Sequence, residues 1–592
     1  MKKTHLIKLS VFCGAVLSLP GFWFGCGPSK AIDGRILLAR NGVSRACIVA
    51  GTDDRIAAVS LQNCIKQECG AVLELVAPAE ADGRRERCEI LVGTPQSNPS
   101  LAHAIQVHGL SLDRAALTDE GYILKTLPAA KGQLIIAAGT EKRGVFYAVG
   151  ELKRYYLRKE RADLYALRAD VREAPAFKYR WLWTWDWRME WGGTEAGGKT
   201  MGEGDYKKSP ESFVKDYKAC VDFMSENGLN GLIIWGFLRD AHGGVGAAQE
   251  ICRYAAERGV RILPGVGTSG YRGYYFEGNH EFNAPTWISR HPKLASRVLY
   301  EGKPVPGCPC PSKPENKKWL ADGARWLFEN FEIGGVNLEM GDFFVCPCPD
   351  CRKAREAIPS NDPDYYKDMA ICLRELLPVM RAAAPDAWLS YATYTGFNKD
   401  MMARPPRFIE LIPDDAICQW TVTGMMGDKD IPDPMRTLAG WPPDLKPMAK
   451  HNIGYLHWAN KSTSTETDFF LRRFQAAAAN SARSGLEGLA FYGELGDGTP
   501  NMLLNYLAFK EFCFHPEMTV GEFTAKRLAP LYGADRAADL WKIIDDVSGL
   551  PKDKSAAAIR AALPVAELAA AAAPSYAQDN WRKLRDFLGA VR

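Results

Sequence analysis

The sequence lacks any marked excess of one charge. Its 74 Lys and Arg nearly cancel 70 Asp and Glu, leaving +4 over 592 residues, and there is no long run of one sign. A nucleic-acid surface needs clustered positive charge, so that class is set aside. Long apolar runs are also missing. Beyond the N-terminus no segment offers the roughly 18 consecutive apolar residues of a spanning helix. A third absence is a G-x-G-x-x-G turn after the first strand of the central region, so nothing supports dinucleotide binding.

What is present is ordinary in bulk, with 47% apolar and 24% charged residues, and the length predicts two or three domains with large cores. The first 31 residues have the form of an export signal. "MKKTHLIK" supplies basic groups, and "LSVFCGAVLSLPGFWFG" is apolar, broken by Gly and Pro, and ends in small residues. Cys26 follows where a bacterial lipoprotein cysteine stands, although Trp23 and Phe24 depart from the usual lipobox. The expected location is therefore the periplasm, the outer membrane or the exterior, with membrane attachment only through a lipid on Cys26.

Three regions follow. Residues 32–172 mix short β-like runs ("RACIVAG", "AVLELVA", "CEILVG", "EGYILKT", "GQLIIAAG") with helical patterns and close on "GTEKRGVFYAVGELKRYYL", which predicts a small α+β domain. Residues 175–500 alternate helices with eight strand candidates: "FKYRWLWTW", "GLNGLIIWG", "RILPGVG", "GGVNLEMG", "AWLSYATYT", "AICQWTVTG", "NIGYLHWAN" and "GLEGLAFYGE". Eight such units predict an α/β fold of the (β/α)8 TIM-barrel type, with an open doubly wound sheet as the competitor. Residues 501–592 are helical and carry no evident chemistry.

In such a barrel the reactive side chains project from the C-terminal strand ends. Those ends hold Trp185 and Asp186, Trp235 with Arg239, then Tyr271 and Arg272, Glu339 and Asp342, Tyr394, Trp420, His457 and Trp458, and finally Tyr492 and Glu494. A mouth lined by tryptophan, tyrosine and carboxylates suits a sugar. Aromatic faces cover the C–H faces of pyranose rings, and acids accept hydrogen bonds and transfer protons. Glycoside hydrolysis ordinarily uses two carboxyl groups flanking the bond. Glu339 is the expected general acid, Glu494 its partner, and Asp342 an orienting group. The guanidinium groups of Arg239 and Arg272 match a uronate carboxylate. No catalytic cofactor is expected.

Of the sixteen cysteines, nine are scattered singly and five cluster as "GCPCP" (Cys308, Cys310) and "VCPCPDC" (Cys346, Cys348, Cys351). The second group follows the fourth strand directly, in a loop roofing the mouth. Three thiolates from one loop, completed by Cys308 or Cys310, would make a closed structural zinc site. Disulfides between the two loops are the alternative in an oxidising compartment.

The order of a small α/β domain ending in "GTEKRGVFYAVGELKRYYL" and then a barrel resembles the β-hexosaminidases and bacterial α-glucuronidases. "APAFKYRWLWTWDW" resembles the opening barrel strand of the hexosaminidases, and the resemblance implies a sugar-binding role for Arg180. "MSENGLNGLIIW" and "AAERGVRILPGV" resemble their next two strands. The likeness spans roughly residues 32–345. The C-x-C-x-x-C is similar to that of secreted bacterial endo-β-N-acetylglucosaminidase-like proteins. Hexosaminidases that use the substrate's acetamide as nucleophile carry adjacent Asp and Glu after the fourth strand; here those positions are Asp342 and Phe343. The expectation is an exported glycoside hydrolase acting on a glycan with N-acetylhexosamine or uronic acid. Its rival is a non-catalytic carbohydrate-binding protein on the same barrel.

Overall fold

The computed structural model describes residues 34–81, 88–129, 132–195, 197–198, 206–300, 302–340, 345–396, 407–421, 449–456, 469–548 and 552–590. The predicted export segment, Cys26 included, lies outside them.

The N-terminal region is α+β. Its main sheet has six strands, and in spatial order these are Asp170–Glu173, Tyr122–Ala129, Gly132–Gly139, Cys88–Gly93, Cys47–Ala50 and Glu74–Val76. A smaller four-stranded sheet is formed by Val43–Ser44, Arg35–Arg40, Asp163–Leu167 and Leu157–Glu160. The closing motif forms the helix Lys142–Glu151, buried along almost its whole length. It lies directly against the first barrel helix, Pro210–Glu226. A Cβ on Gly150 would stand 2.0 Å from the Glu226 carbonyl oxygen, so the two helices approach this closely only because position 150 has no side chain.

The barrel closes from eight strands, each hydrogen-bonded to its sequence neighbours: β1 Tyr179–Trp185, β2 Gly231–Trp235, β3 Arg261–Gly267, β4 Gly335–Glu339, β5 Trp388–Gly396, β6 Ile417–Thr421, β7 His451–Leu456 and β8 Gly488–Tyr492. All eight pairings are parallel. Each expected strand is found in place, and the open sheet is excluded by the β8–β1 pairing that completes the ring. Helix starts are local in origin. Ser209 caps Pro210–Glu226 by accepting from the Ser212 N–H, with Pro210 and Glu211 in the first turn.

Strand alternation sorts the side chains into two layers. Trp181, Trp183 and Trp185 of β1 join Ile233, Trp235, Leu263, Ile417, Ile453, Tyr455, Ala490 and Tyr492 in the barrel interior. Leu182, Leu232, Ile234, Leu338, Tyr391, Cys418, Trp420 and Phe491 face the helices. The interior is aromatic where branched aliphatics are usual, and small residues opposite make room. A Cβ on Gly265 of β3 would fall 2.3 Å from the Trp235 ring.

The C-terminal helices, from Pro500–Phe514 to Gln578–Ala590, share the large core of the barrel's outer layer. Buried ion pairs tie the three regions together. Arg180 at the start of β1 meets Glu120 of the N-terminal domain, and Arg527 bridges Glu151 at 2.5 Å and Glu511 at 2.8 Å.

Candidate active site

Glu339 is the last residue of β4 and Glu494 stands two residues past β8. Both are inward-facing positions at the C-terminal rim, and both are essentially inaccessible, at 1% and 0% exposure. Tyr455 of β7 and Tyr492 of β8 stand side by side at the same rim, their ring centroids 5.9 Å apart, and each feels the charge of both glutamates. Burial first, then Tyr492 and the two glutamates in the case of Tyr455 and Glu494 in the case of Tyr492, push both phenols far above the usual range. These tyrosines therefore stay protonated and act as hydrogen-bond donors and acceptors.

Each glutamate has its own support. The Trp185 backbone N–H donates to Glu494 Oε1 at 3.2 Å, and Arg188 Nη1 lies 3.8 Å from Oε2. These are contacts that suit an anionic carboxylate. Glu339 Oε1 accepts from the Asn337 side-chain amide at 3.2 Å. The Asn337 carbonyl in turn accepts from Ser390 Oγ at 3.0 Å and from the Gln419 amide, while Gln419 Nε2 also reaches Ser390 Oγ at 3.0 Å. With two donors on its oxygen, Asn337 must turn its NH2 toward Glu339. This buried polar triad on β4, β5 and β6 fixes the acid from below.

Aromatic rings form one wall. Trp185 lies 5.5 Å from Trp235 and 6.1 Å from Tyr271, centroid to centroid, and Trp183 lies 4.8 Å from Tyr492. Tyr271 and Arg272, just beyond β3, both hold positive φ (49° and 67°). Two successive non-glycine residues in that region are strained, and such strain clusters where a site needs a fixed side chain. Arg188, in the turn Asp186–Arg188, lays its guanidinium 4.2 Å over the Trp187 ring. Its buried Nε and Nη1 have no hydrogen-bond partner among the described residues. Buried polar atoms are normally paired, and donors in this position would suit a ligand oxygen.

Several expected contacts are placed elsewhere. Arg180 is completely buried near the N-terminal end of β1, where it donates to the carbonyls of Gly228 and Phe177, each at 2.5 Å, to the Tyr147 hydroxyl at 3.2 Å and to Glu120. Every arm of its guanidinium is used at the wrong end of the barrel for sugar. Asp186 and Arg239 neutralise each other at 2.5 Å, Arg239 also binds Glu277, and both are buried. Neither is open to a substrate's hydroxyls or carboxylate. Trp420 faces outward into the helix layer, donating to Asn452 Oδ1 at 2.7 Å. Asp342, His457 and Trp458, together with the side chain of Tyr394, lie outside the described residues. The sequence reading missed Arg188, Tyr455 and the Asn337–Ser390–Gln419 triad. A cation three residues past a strand end, "WDWR", was the available signal for Arg188; nothing local announces the triad.

The thiols of Cys310, Cys346, Cys348 and Cys351 converge beside this rim, all within 4.8 Å of one another and buried. Cys308 is buried but stands outside the group. Every described cysteine is a free thiol in this structure.

Residues 43–152 match the family model described as Glycosyl hydrolase family 67 N-terminus. No curated protein matches the chain by sequence. Among solved structures, the chain is similar to a family GH115 4-O-methyl-α-glucuronidase with specificity for decorated arabinogalactans. That match has 12% identity and a TM-score of 0.57, covering 94% of this chain and 72% of the other. It is also similar to an inactive mutant of the GH20 exo-β-N-acetylglucosaminidase of Vibrio harveyi, with 12% identity and TM-score 0.51 over 86% of this chain and 76% of that one. A mutant β-hexosaminidase of Streptomyces plicatus in complex with GlcNAc matches at 12% identity and TM-score 0.50, over 85% and 92%. Residues 43–152 are thus similar to a domain found at the N-terminus of family 67 glycosyl hydrolases, and the chain as a whole shares the fold of the hexosaminidase and glucuronidase structures.

Proposed function

We propose that the protein is a glycoside hydrolase acting on a glycan that contains N-acetylhexosamine or uronic acid. The observation that carries this reading is the presence of both Glu339 and Glu494 at the barrel rim, both buried, each with its own bracing contacts and each acting electrostatically on Tyr455 and Tyr492. Glu339 is the general acid, held by Asn337, and donates a proton to the departing glycosidic oxygen. Glu494, between a backbone N–H and Arg188, remains anionic and faces the developing positive charge at the anomeric carbon, as nucleophile or as base for a water. Trp185 and Tyr271 supply the apolar wall for a sugar ring, with the buried Trp235 packed behind them. Residues 1–31 serve as an export signal, and Cys26 is the site of any lipid attachment.

The test is sugar release from a panel of N-acetylhexosaminides, glucuronides and N-glycans by the native chain and by Glu339→Gln. Turnover that falls by about 10²–10⁴-fold in the variant, with stability unchanged, supports the assignment. Turnover unaffected by Glu339→Gln sinks it. Glycan binding without turnover on any substrate would mean a carbohydrate-binding protein on a catalytic scaffold.

A further inference from the structure

The five clustered cysteines are not used by the proposed chemistry, yet four of them are arranged as one object. Cys310 Sγ lies 3.6 Å from Cys351, 3.8 Å from Cys348 and 3.8 Å from Cys346. One sulfur nearly equidistant from three others is not a disulfide pattern, which needs two short separations and four long ones. It is the pattern of a tetrahedron. A central ion with metal–sulfur bonds of about 2.3 Å sets sulfur–sulfur edges of about 3.8 Å. The measured separations fit that edge.

We propose that Cys310, Cys346, Cys348 and Cys351 bind one zinc ion in a closed, structural site of four thiolates. On binding, each thiol gives up its proton and the sulfur lone pair goes to the metal, so four protons leave and the cluster carries two net negative charges. Donors already face the sulfurs to spread that charge. The Arg297 N–H points at Cys346 Sγ at 3.5 Å, the Cys351 N–H at Cys348 Sγ at 3.4 Å, and the Ser312 hydroxyl at Cys351 Sγ at 2.9 Å. Val298 packs on the four cysteines and keeps water out. The backbone around them is held independently. Asn316 donates to the carbonyls of Leu294 and Cys310 at 2.8 and 2.9 Å. Arg355, paired with Asp368, donates to the Cys346 carbonyl at 3.1 Å. With four protein ligands no position is left for a substrate, so the ion braces and does not catalyse. It fastens the loop after β3 to the connection after β4, where Cys346 follows Glu339 by seven residues.

The exclusion of Cys308 makes the proposal sharp, because sequence treats Cys308 and Cys310 as equivalent. The full-length chain is purified from zinc-supplemented cells and its metal measured by elemental mass spectrometry. The expected result is about one zinc per chain, retained in Cys308→Ser and lost in Cys310→Ser and Cys346→Ser. Should the latter two fail to fold, reconstitution of the native chain and of Cys308→Ser with cobalt(II) gives the same answer. Both are expected to show intense thiolate-to-cobalt charge transfer with tetrahedral ligand-field bands. Metal-free folded protein whose four thiols are recovered as two disulfides would overturn the site. So would zinc that is lost in Cys308→Ser, or iron bound in zinc's place.

Discussion

Two arginines eight residues apart, Arg180 and Arg188, divide the two ends of the barrel. Both sit on or just past β1, both are largely buried, and both lie beside a glutamate. At the closed end, Arg180 spends its guanidinium on three carbonyls, a phenol and Glu120. At the open end, Arg188 keeps Nε and Nη1 without a hydrogen-bond partner among the described residues. A saturated buried charge is a joint, whereas an unsaturated one is held ready for something that arrives. Type and position in sequence do not separate these cases, but hydrogen-bond accounting does.

The largest effect expected from this contrast is at the joint. Arg180→Met leaves the Glu120 carboxylate buried with only Arg143 and neutral partners, which should cost about 3–5 kcal/mol. The loss is measurable as a shift in the urea midpoint, with KM for any turned-over glycan unchanged in the folded fraction. If KM rises sharply while stability holds, Arg180 is a sugar contact and the two ends have been misread.

Acid sharpens the same contrast. Burial alone would raise the Glu120 carboxyl, but Arg180 and then Arg143 outweigh it and hold the group down from 4.5 to about 2. A depressed carboxylate contributes stability above its unfolded value, and that contribution is lost as pH falls from about 4.5 toward 2. The shift corresponds to roughly 3 kcal/mol. Glu511, held down to about 2 by Arg527 and Lys510 against its burial, follows the same course. Urea unfolding from pH 6 to pH 3 should therefore show a falling midpoint, and Glu120→Gln should flatten the curve. A slope unaltered by Glu120→Gln would remove the Glu120–Arg180 pair from the acid response.

The strands were legible because each is a short apolar run between Gly-, Pro- or Asn-marked breaks, and hydrogen bonding then closes them in chain order. Glu339 and Glu494 were legible as acids at strand ends. Which face a residue takes was also written in the alternation, since Trp181, Trp183 and Trp185 share the interior and Arg180 and Thr184 do not. A likeness to another family's arginine overrode that period at position 180. Asp186 with Arg239 was beyond reach for a different reason. Each looks available alone, and only the fold brings together two groups 53 residues apart. The choice of Cys310 over Cys308 likewise depends on the path of a loop between strands, which local pattern does not specify.

The smallest expected effect tests the open end most directly. Arg188→Lys keeps a positive charge near Glu494 but removes the planar group that lies 4.2 Å over Trp187, together with the two unpartnered donors. An ammonium is a compact, strongly hydrated charge that neither stacks on the indole nor presents a fork to a sugar oxygen. Because the native donors make no hydrogen bond to a described residue and lysine keeps the positive charge near Glu494, little internal bonding is lost, and stability should change by less than about 1 kcal/mol. Activity should fall by about tenfold in kcat/KM, equivalent to about 1.4 kcal/mol of lost transition-state contact. A stability loss comparable with that of Arg180→Met, at unchanged kcat/KM, would make Arg188 a second joint and leave the open end without its arginine.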